Sequence, residues 1–432
     1  MRNFCLFLLL LLPLCATDEI RVQLSTETPL QPLYIASWEG EAALQKVFAF
    51  DFNHNGRTQV VSDSTERRRL AKEGSYDGAA WRKAGVLYVV QGKKVEGRLS
   101  IAFFSAITGE RFHSGEVELT GELAKDRRKI HQVADAIHEK LYGKPGIASS
   151  HLLYMVKAVN TDKGMGEIWM CDYDGANSHQ ITFEGGTATT PSFLPTQPGK
   201  MSPYYTYVSY RSGQPKICLA SVYEKKEGRP LVTLKGQQLM PALTPQRDCL
   251  LFVSDAAGNP DLFSIAFDPL QGPLGKPRQL YSAPRGAQAS PTTSPDGRRI
   301  AFVSNKDGAP RIYLLNLAAD GSALGDPVCI TAQNRENTSP AWSPDGSKIA
   351  YSSMAEGTRQ IWLYDLNEGT ERPLTTGPGH KENPCWASDS LHLVFNSADK
   401  TTCQLYLVNL NQPKAVAITS GAGEKRFPSF GS

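Results

Sequence analysis

Pro340-Ala341-Trp342-Ser343-Pro344-Asp345-Gly346 has relatives elsewhere in the same chain: Pro291-Thr292-Thr293-Ser294-Pro295-Asp296-Gly297, Pro241-Ala242-Leu243-Thr244-Pro245 and Pro191-Ser192-Phe193-Leu194-Pro195, with weaker copies at Pro384-Cys385-Trp386 and Pro428-Ser429-Phe430. The leading prolines stand about 44–50 residues apart, the period of a four-stranded propeller blade. Six anchors predict six blades. Each repeat continues into an alternating strand, such as Ile300-Ala301-Phe302-Val303-Ser304, then a turn and a further strand, such as Ile312-Tyr313-Leu314. Gly213, Gly258, Gly308 and Gly357 fall in those turns, and Asp296-Gly297 and Asp345-Gly346 read as tight-turn chemistry instead of catalytic acids. The first repeat starts out of phase near Leu152 and the last ends on an inner strand near Phe430, so the two ends are expected to complete one blade together.

The region before the repeats reads differently. Residues 28–146 have the mixed pattern of an α/β (α+β) domain, with helices expected near 39–50 and 125–141 and strands near 58–62, 86–90 and 99–107. In the second helix Ile130, Val133, Ala134, Ile137 and Leu141 share a face, which is expected to leave Arg127, Arg128, Asp135 and Glu139 towards water. The expected organisation is therefore multidomain: a signal peptide over 1–16, a flexible N-terminal segment over 17–27, the α/β domain over 28–146, and an all-β six-bladed propeller of WD-like repeats over 147–432.

Arg2 followed by an apolar run over residues 4–14 and the small Ala16 has the layout of a secretory signal. That run falls short of the roughly 20 apolar residues a spanning helix needs, so the chain is not expected to span a membrane. Leu14 before Cys15 departs from a lipid-attachment signal. The 432 residues are 41% hydrophobic and 21% charged, with a formal net charge of +3, and the basic residues form no stripe of the kind nucleic acid requires. Cysteines 171, 218, 249, 329, 385 and 403 lack metal or disulfide spacing and read as small buried hydrophobes.

Several chemistries are missing. Asp51-Phe52-Asn53-His54-Asn55-Gly56 opens like a calcium loop, but Ser62 stands where the bidentate Glu belongs, so a helix-ending turn is expected. His131, Asp135 and His138 imitate a metal site without an HExxH pattern and are expected on a helix surface. There is no nucleophile elbow, P-loop or dinucleotide fingerprint. No cofactor, metal or catalytic residue is assigned, and a monomeric binding protein is expected. An enzyme with a site dispersed over the channel and a stand-alone envelope scaffold lipoprotein are the alternatives.

Arg127-Arg128-Lys129-Ile130-His131-Gln132-Val133-Ala134-Asp135-Ala136-Ile137-His138-Glu139-Lys140-Leu141-Tyr142-Gly143 and Asp172-Tyr173-Asp174-Gly175-Ala176-Asn177 carry a more specific likeness. With the Pro-Ala-Trp-Ser-Pro-Asp-Gly repeats, the chain resembles the TolB family, propeller proteins of the bacterial Tol-Pal envelope system. The resemblance implies a periplasmic protein that binds the outer-membrane lipoprotein Pal through its propeller and the inner-membrane protein TolA through its N-terminal end, serving outer-membrane integrity and invagination during division. Departures are the ending Phe430-Gly431-Ser432 and the replacement of the last turn glycine by residues 400–402.

On that footing the strand-prone Ile20-Arg21-Val22-Gln23-Leu24 is the expected TolA-facing element, able to add to a sheet edge. The loops leading into the inner strands converge on the channel mouth, so Arg335, Glu336, Asn337, Lys381, Glu382, Asn383, Arg426 and Phe427 are the expected Pal-facing residues. Glu224 and Glu227, on an outer loop, are expected to matter little.

Overall fold

The alternation of Pro-anchored strands and glycine turns closes into a ring of six four-stranded antiparallel sheets. The computed structural model describes residues 20–23, 29–158, 165–196, 200–269, 271–412 and 414–431. The signal segment and Leu24 lie outside them. Blade 1 comprises Ala188–Phe193, Tyr204–Ser209, Lys216–Ser221 and Arg229–Pro230, and blade 2 Gln238–Leu243, Cys249–Ser254, Asp261–Asp268 and Gly272–Tyr281. Blade 3 is Gln288–Thr293, Arg299–Ser304, Arg311–Leu317 and Ala323–Cys329, and blade 4 is Asn337–Trp342, Lys348–Ala355, Thr358–Asp365 and Thr370–Pro373. Blade 5 is His380–Trp386, His392–Ala398, Cys403–Asn409 and Val416–Ala417.

Blade 6 takes its inner strand, Glu424–Gly431, from the end of the chain and its other three, His151–Lys157, Gly166–Asp172 and His179–Gln180, from the start of the propeller. Arg426 pairs with Met155 and Phe430 with Leu152, which closes the ring as the phase of the repeat predicts. The aspartates after the anchors are turn elements. Asp345 accepts from Ser343 Oγ at 2.6 Å and from the Ser347 amide at 3.0 Å, and Gly346 closes the turn at φ +76°. In blade 5 Asp399 accepts from the amides of Thr401 and Thr402, both at 2.7 Å, and so replaces the turn glycine.

In the N-terminal domain a five-stranded sheet runs in the order Thr58–Val60, Gln31–Ile35, Tyr88–Val95, Arg98–Ser105, Arg111–Glu118. The first three strands are parallel and need crossovers, which α1 (Ala42–Asn53), α2 (Thr65–Lys72) and α3 (Gly78–Lys83) supply. Ser64 caps α2 by accepting from the Arg67 amide, and Asp77 caps α3 through the amides of Ala79 and Ala80. The long α4 (Leu123–Tyr142) packs Ile130, Ala134 and Ile137 against Leu44, Val47, Phe48 and Phe52 and stops at Gly143, whose φ is +68°. The reading of 28–146 missed Gln31–Ile35, α2, α3 and Arg111–Glu118. No helix among the described residues is long and apolar enough to cross a membrane.

This domain docks on blades 5 and 6, on the face that carries the Asp-Gly turns. His392 Nε2 lies 2.6 Å from the His54 carbonyl, Asn411 Nδ2 donates to the Gly56 carbonyl at 3.0 Å, and Gln412 Nε2 to that of Asn53 at 2.6 Å. Gly56 is at φ +68°, and a Cβ there would fall 2.2 Å from the Asn409 amide, so the approach requires glycine. The loops into the inner strands lie on the opposite face, which the N-terminal domain leaves uncovered among the described residues.

Candidate functional site

The uncovered mouth is built from one local device used six times. The residue before each anchor proline, Thr190, Met240, Ser290, Ser339, Asn383 and Phe427, has φ between +47° and +54°. Proline disfavours the helical region for its predecessor, and a non-glycine residue in the left-handed region is itself uncommon. Here the strand pairing imposes it: every inner strand shifts register across this residue, as between Thr338 and Ala341. The bulge turns the side chain out of the strand towards the neighbouring blade. Ser339 Oγ donates to Asn383 Oδ1 at 3.0 Å, and the Ser290 amide approaches Met240 Sδ at 3.1 Å.

Three positions before each proline, five blades carry a polar residue that clamps its own entry loop. Gln238 Nε2 donates to the carbonyls of Val232 and Leu234, Gln288 Nε2 to Gly286 and Asn337 Nδ2 to Asn334. Lys381 Nζ donates to the carbonyls of Gly377, Pro378 and Gly379, and Lys425 Nζ to those of Ser420, Gly421 and Ala422. This corrects two expectations. Asn337 and Lys381 are each 0% exposed, so they shape the mouth without facing a partner. Burial pushes the Lys381 ammonium down to about 8.

Three of the other expected residues, Glu336, Glu382 and Arg426, converge through a side chain that the loops alone did not predict. Arg359 Nη2 pairs with Glu336 at 3.2 Å and its Nε with Glu382 at 3.5 Å; Glu382 then meets Arg426 Nη1 at 3.2 Å, and Arg426 Nε meets Glu424 at 2.9 Å. The chain Glu336–Arg359–Glu382–Arg426–Glu424 thus spans blades 4, 5 and 6. Arg359 follows the Gly357 turn, and the turns between second and third strands share a face with the loops into the inner strands, so antiparallel order was the missed signal. Asn383 belongs to the bulge ring and donates to Asn396 Oδ1 at 2.8 Å. Phe427 is half-buried against the apolar cluster between blades 6 and 1, and Arg335 is exposed. Of the outer-loop residues, Glu227 pairs with Arg211, whose turn lies on the mouth face, while Glu224 pairs with Lys226.

The N-terminal segment departs from expectation. Over residues 20–23 it is not free: Arg21 pairs with Thr376 and Val22 with Thr375, and the Gln23 amide donates to the Leu374 carbonyl at 2.8 Å. Ile20 and Val22 are buried among Leu374, Trp386, Leu393, Phe395, Val408 and Leu410, between blades 4 and 5. The alternation that suited this strand to a partner's sheet edge suits it equally to an edge in its own chain.

The seam holds a second polar cluster, and it corrects the expected helix surface. His131 is 1% exposed, with Nδ1 2.9 Å from both oxygens of Asp51, to which Tyr173 also donates at 2.7 Å. Burial pushes the imidazole down, but the Asp51 charge and hydrogen bond outweigh it and leave His131 above its ordinary value. Arg127 is ion-paired with Asp174, and Asp135 accepts from the amides of Ala148 and Ser149, both at 2.8 Å. Arg128 and Glu139 are exposed, as expected.

A family description, "TolB beta propeller domain", matches residues 138–325 and 288–431. A TolB homolog of Protochlamydia amoebophila is 44% identical over 384 residues, covering 85% of this chain and 82% of that protein. One of Chlamydia pneumoniae is 43% identical over 61% of this chain and 60% of its own length. The crystal structure of TolB from Acinetobacter baumannii superposes with a TM-score of 0.77 at 20% identity, covering 95% of this chain and 99% of that one, which speaks for the fold. The repeats, the shared closing blade, the preceding α/β domain and these relatives agree, and the chain belongs to the TolB family.

Proposed function

We propose that this protein is a non-enzymatic component of a Tol-Pal envelope system, acting in the periplasm after removal of residues 1–16. In this reading its mouth binds a Pal-like outer-membrane lipoprotein, and the segment over 17–27, with Ile20, Arg21, Val22, Gln23 and Leu24, engages a TolA-like inner-membrane protein. The link serves outer-membrane integrity and invagination at division. The observation that carries the mouth assignment is the Glu336–Arg359–Glu382–Arg426–Glu424 chain on the uncovered face. These charges are partly exposed and add little stability, yet their alternating signs present a fixed pattern to a partner. A TolA-like sheet edge that takes up the N-terminal strand must displace its pairing with Thr375 and Thr376 and draw Ile20 and Val22 out of their cleft.

The test is a titration of the soluble domain of the Pal-like lipoprotein into wild type and into Glu336→Lys with Glu382→Lys. The reading expects at least ~1 kcal/mol of lost affinity, about fivefold. Unchanged affinity, with an unchanged melt, would remove the mouth from the account.

A further inference from the structure

The seam cluster has a geometry that partner binding does not use. His131 lies on α4 of the N-terminal domain, Asp172 ends a strand of blade 6, and Asp174 lies in the turn after it. The ring donates from Nδ1 to Asp51, while the buried Nε2 has no hydrogen-bond partner and faces Asp174 Oδ2 at 3.9 Å. One nitrogen and one oxygen from each carboxylate, of His131, Asp172 and Asp174, all lie within 4.8 Å of one another. Both carboxylates are held from behind: Asn177 Nδ2 donates to Asp172 Oδ2 at 2.6 Å, and the Ala176 amide to Asp174 Oδ1 at 3.1 Å. His151 Nε2 stands 3.8 Å from Asp172 Oδ1, but its lone pair accepts from Arg128 Nη2 at 3.2 Å and is not free for the same space.

We propose that this pocket is a zinc-class divalent metal site, with His131 Nε2, Asp172 and Asp174 as ligands and the fourth position left to water. A metal-binding histidine characteristically donates its other N–H to a carboxylate, which fixes the tautomer and points the lone pair at the metal; Asp51 is that carboxylate. Imidazole with carboxylates suits zinc and its neighbours, whereas calcium and magnesium take oxygen donors. In a tetrahedral site with bonds of about 2.1 Å the donors stand roughly 3.4 Å apart, so the His131–Asp174 gap closes by about 0.5 Å on binding. Arg127 is the competing cation, because it pairs with the same Asp174 oxygen. Binding must displace it and release any proton on Nε2. With ligands from both domains, the metal would lock the α/β domain to the propeller.

The experiment uses the full mature chain without an affinity tag, stripped with EDTA and dialysed, and titrates it with Co²⁺ and Zn²⁺. The account expects one equivalent bound, visible Co²⁺ bands without a sulfur charge-transfer band, displacement by Zn²⁺ and a higher melting temperature with Zn²⁺. His131→Gln and Asp174→Asn should each weaken binding at least 100-fold, Asp51→Asn 10- to 100-fold, and Arg127→Gln should tighten it several-fold. The wild-type titration needs no variant to fold: absence of a saturable Co²⁺ spectrum, or a spectrum of thiolate ligands, overturns the site. So does binding that His131→Gln leaves unchanged.

Discussion

The two faces of the ring come from the same repeat and leave their polar groups in opposite conditions. On the Asp-Gly face the N-terminal domain covers blades 5 and 6, and polar groups of one side are answered by the other, as His392 by His54 and Asn411 by Gly56. On the mouth face Glu336, Arg359, Glu382, Arg426 and Glu424 answer one another at the edge of water. A buried charge that loses its partner costs several kcal/mol, while an exposed pair contributes at most about 1 kcal/mol. Substitutions on the covered face should therefore read out as stability, and those at the mouth as binding.

The largest expected effect removes the strand that both faces depend on. Deleting residues 424–432 takes away the pairing with His151–Lys157 and opens the ring, and calorimetry should show a melting temperature lower by roughly 10 °C or more. An unchanged melt would mean that closure does not hold the ring together.

Next comes the covered face alone. Asp389 lies 2.5 Å from His392 Nδ1, and the imidazole is buried. Burial opposes both charges, but the His392 charge and hydrogen bond hold Asp389 down at about 2, and Asp389 in turn holds His392 above its ordinary value despite the opposing charge of Arg57. The sign follows from linkage. The Asp389 contribution is present above about pH 4 and is lost as pH falls towards 2; the His392 contribution is full below about pH 6.5 and fades as pH rises through its raised value. Asp389→Asn should cost ~3 kcal/mol in denaturant melts near pH 6 and flatten both limbs. A variant with the wild-type pH profile would show that the pair is not an anchor.

A smaller effect is expected where the N-terminal strand wedges between blades 4 and 5. Val22→Asp places a carboxylate in an apolar cleft and should lower stability by about 2 kcal/mol through loss of strand docking. If the melt does not move, the docking of residues 20–23 contributes nothing to the stability of the propeller.

The propeller was legible because its inner strand is written six times: the prolines gave the blade count and the phase gave the closure. What lay one residue away from the repeat's obvious letters was harder. Glu382 faces the mouth while its neighbour Lys381 is buried, although the polar series Gln238, Gln288, Asn337, Lys381 and Lys425, each three residues before a proline, carried the signal. The N-terminal domain exists in one copy and offers no such cross-check. Its second strand was missed because Pro32 argues against a strand paired on both sides. His131 was placed on the surface because helix periodicity reports the apolar stripe of α4 and not a second face buried under another domain.

The central claim is that the uncovered mouth, and not the outer rim, meets the Pal-like partner. Its most direct test compares the affinity of that partner's soluble domain for two variants of the full mature chain, Glu336→Lys with Glu382→Lys, and Glu224→Lys on the outer loop. The account predicts at least fivefold weakening for the mouth pair, a change within twofold for Glu224→Lys, and melts within about 1 kcal/mol of wild type for both. Greater weakening by Glu224→Lys than by the mouth pair would contradict it.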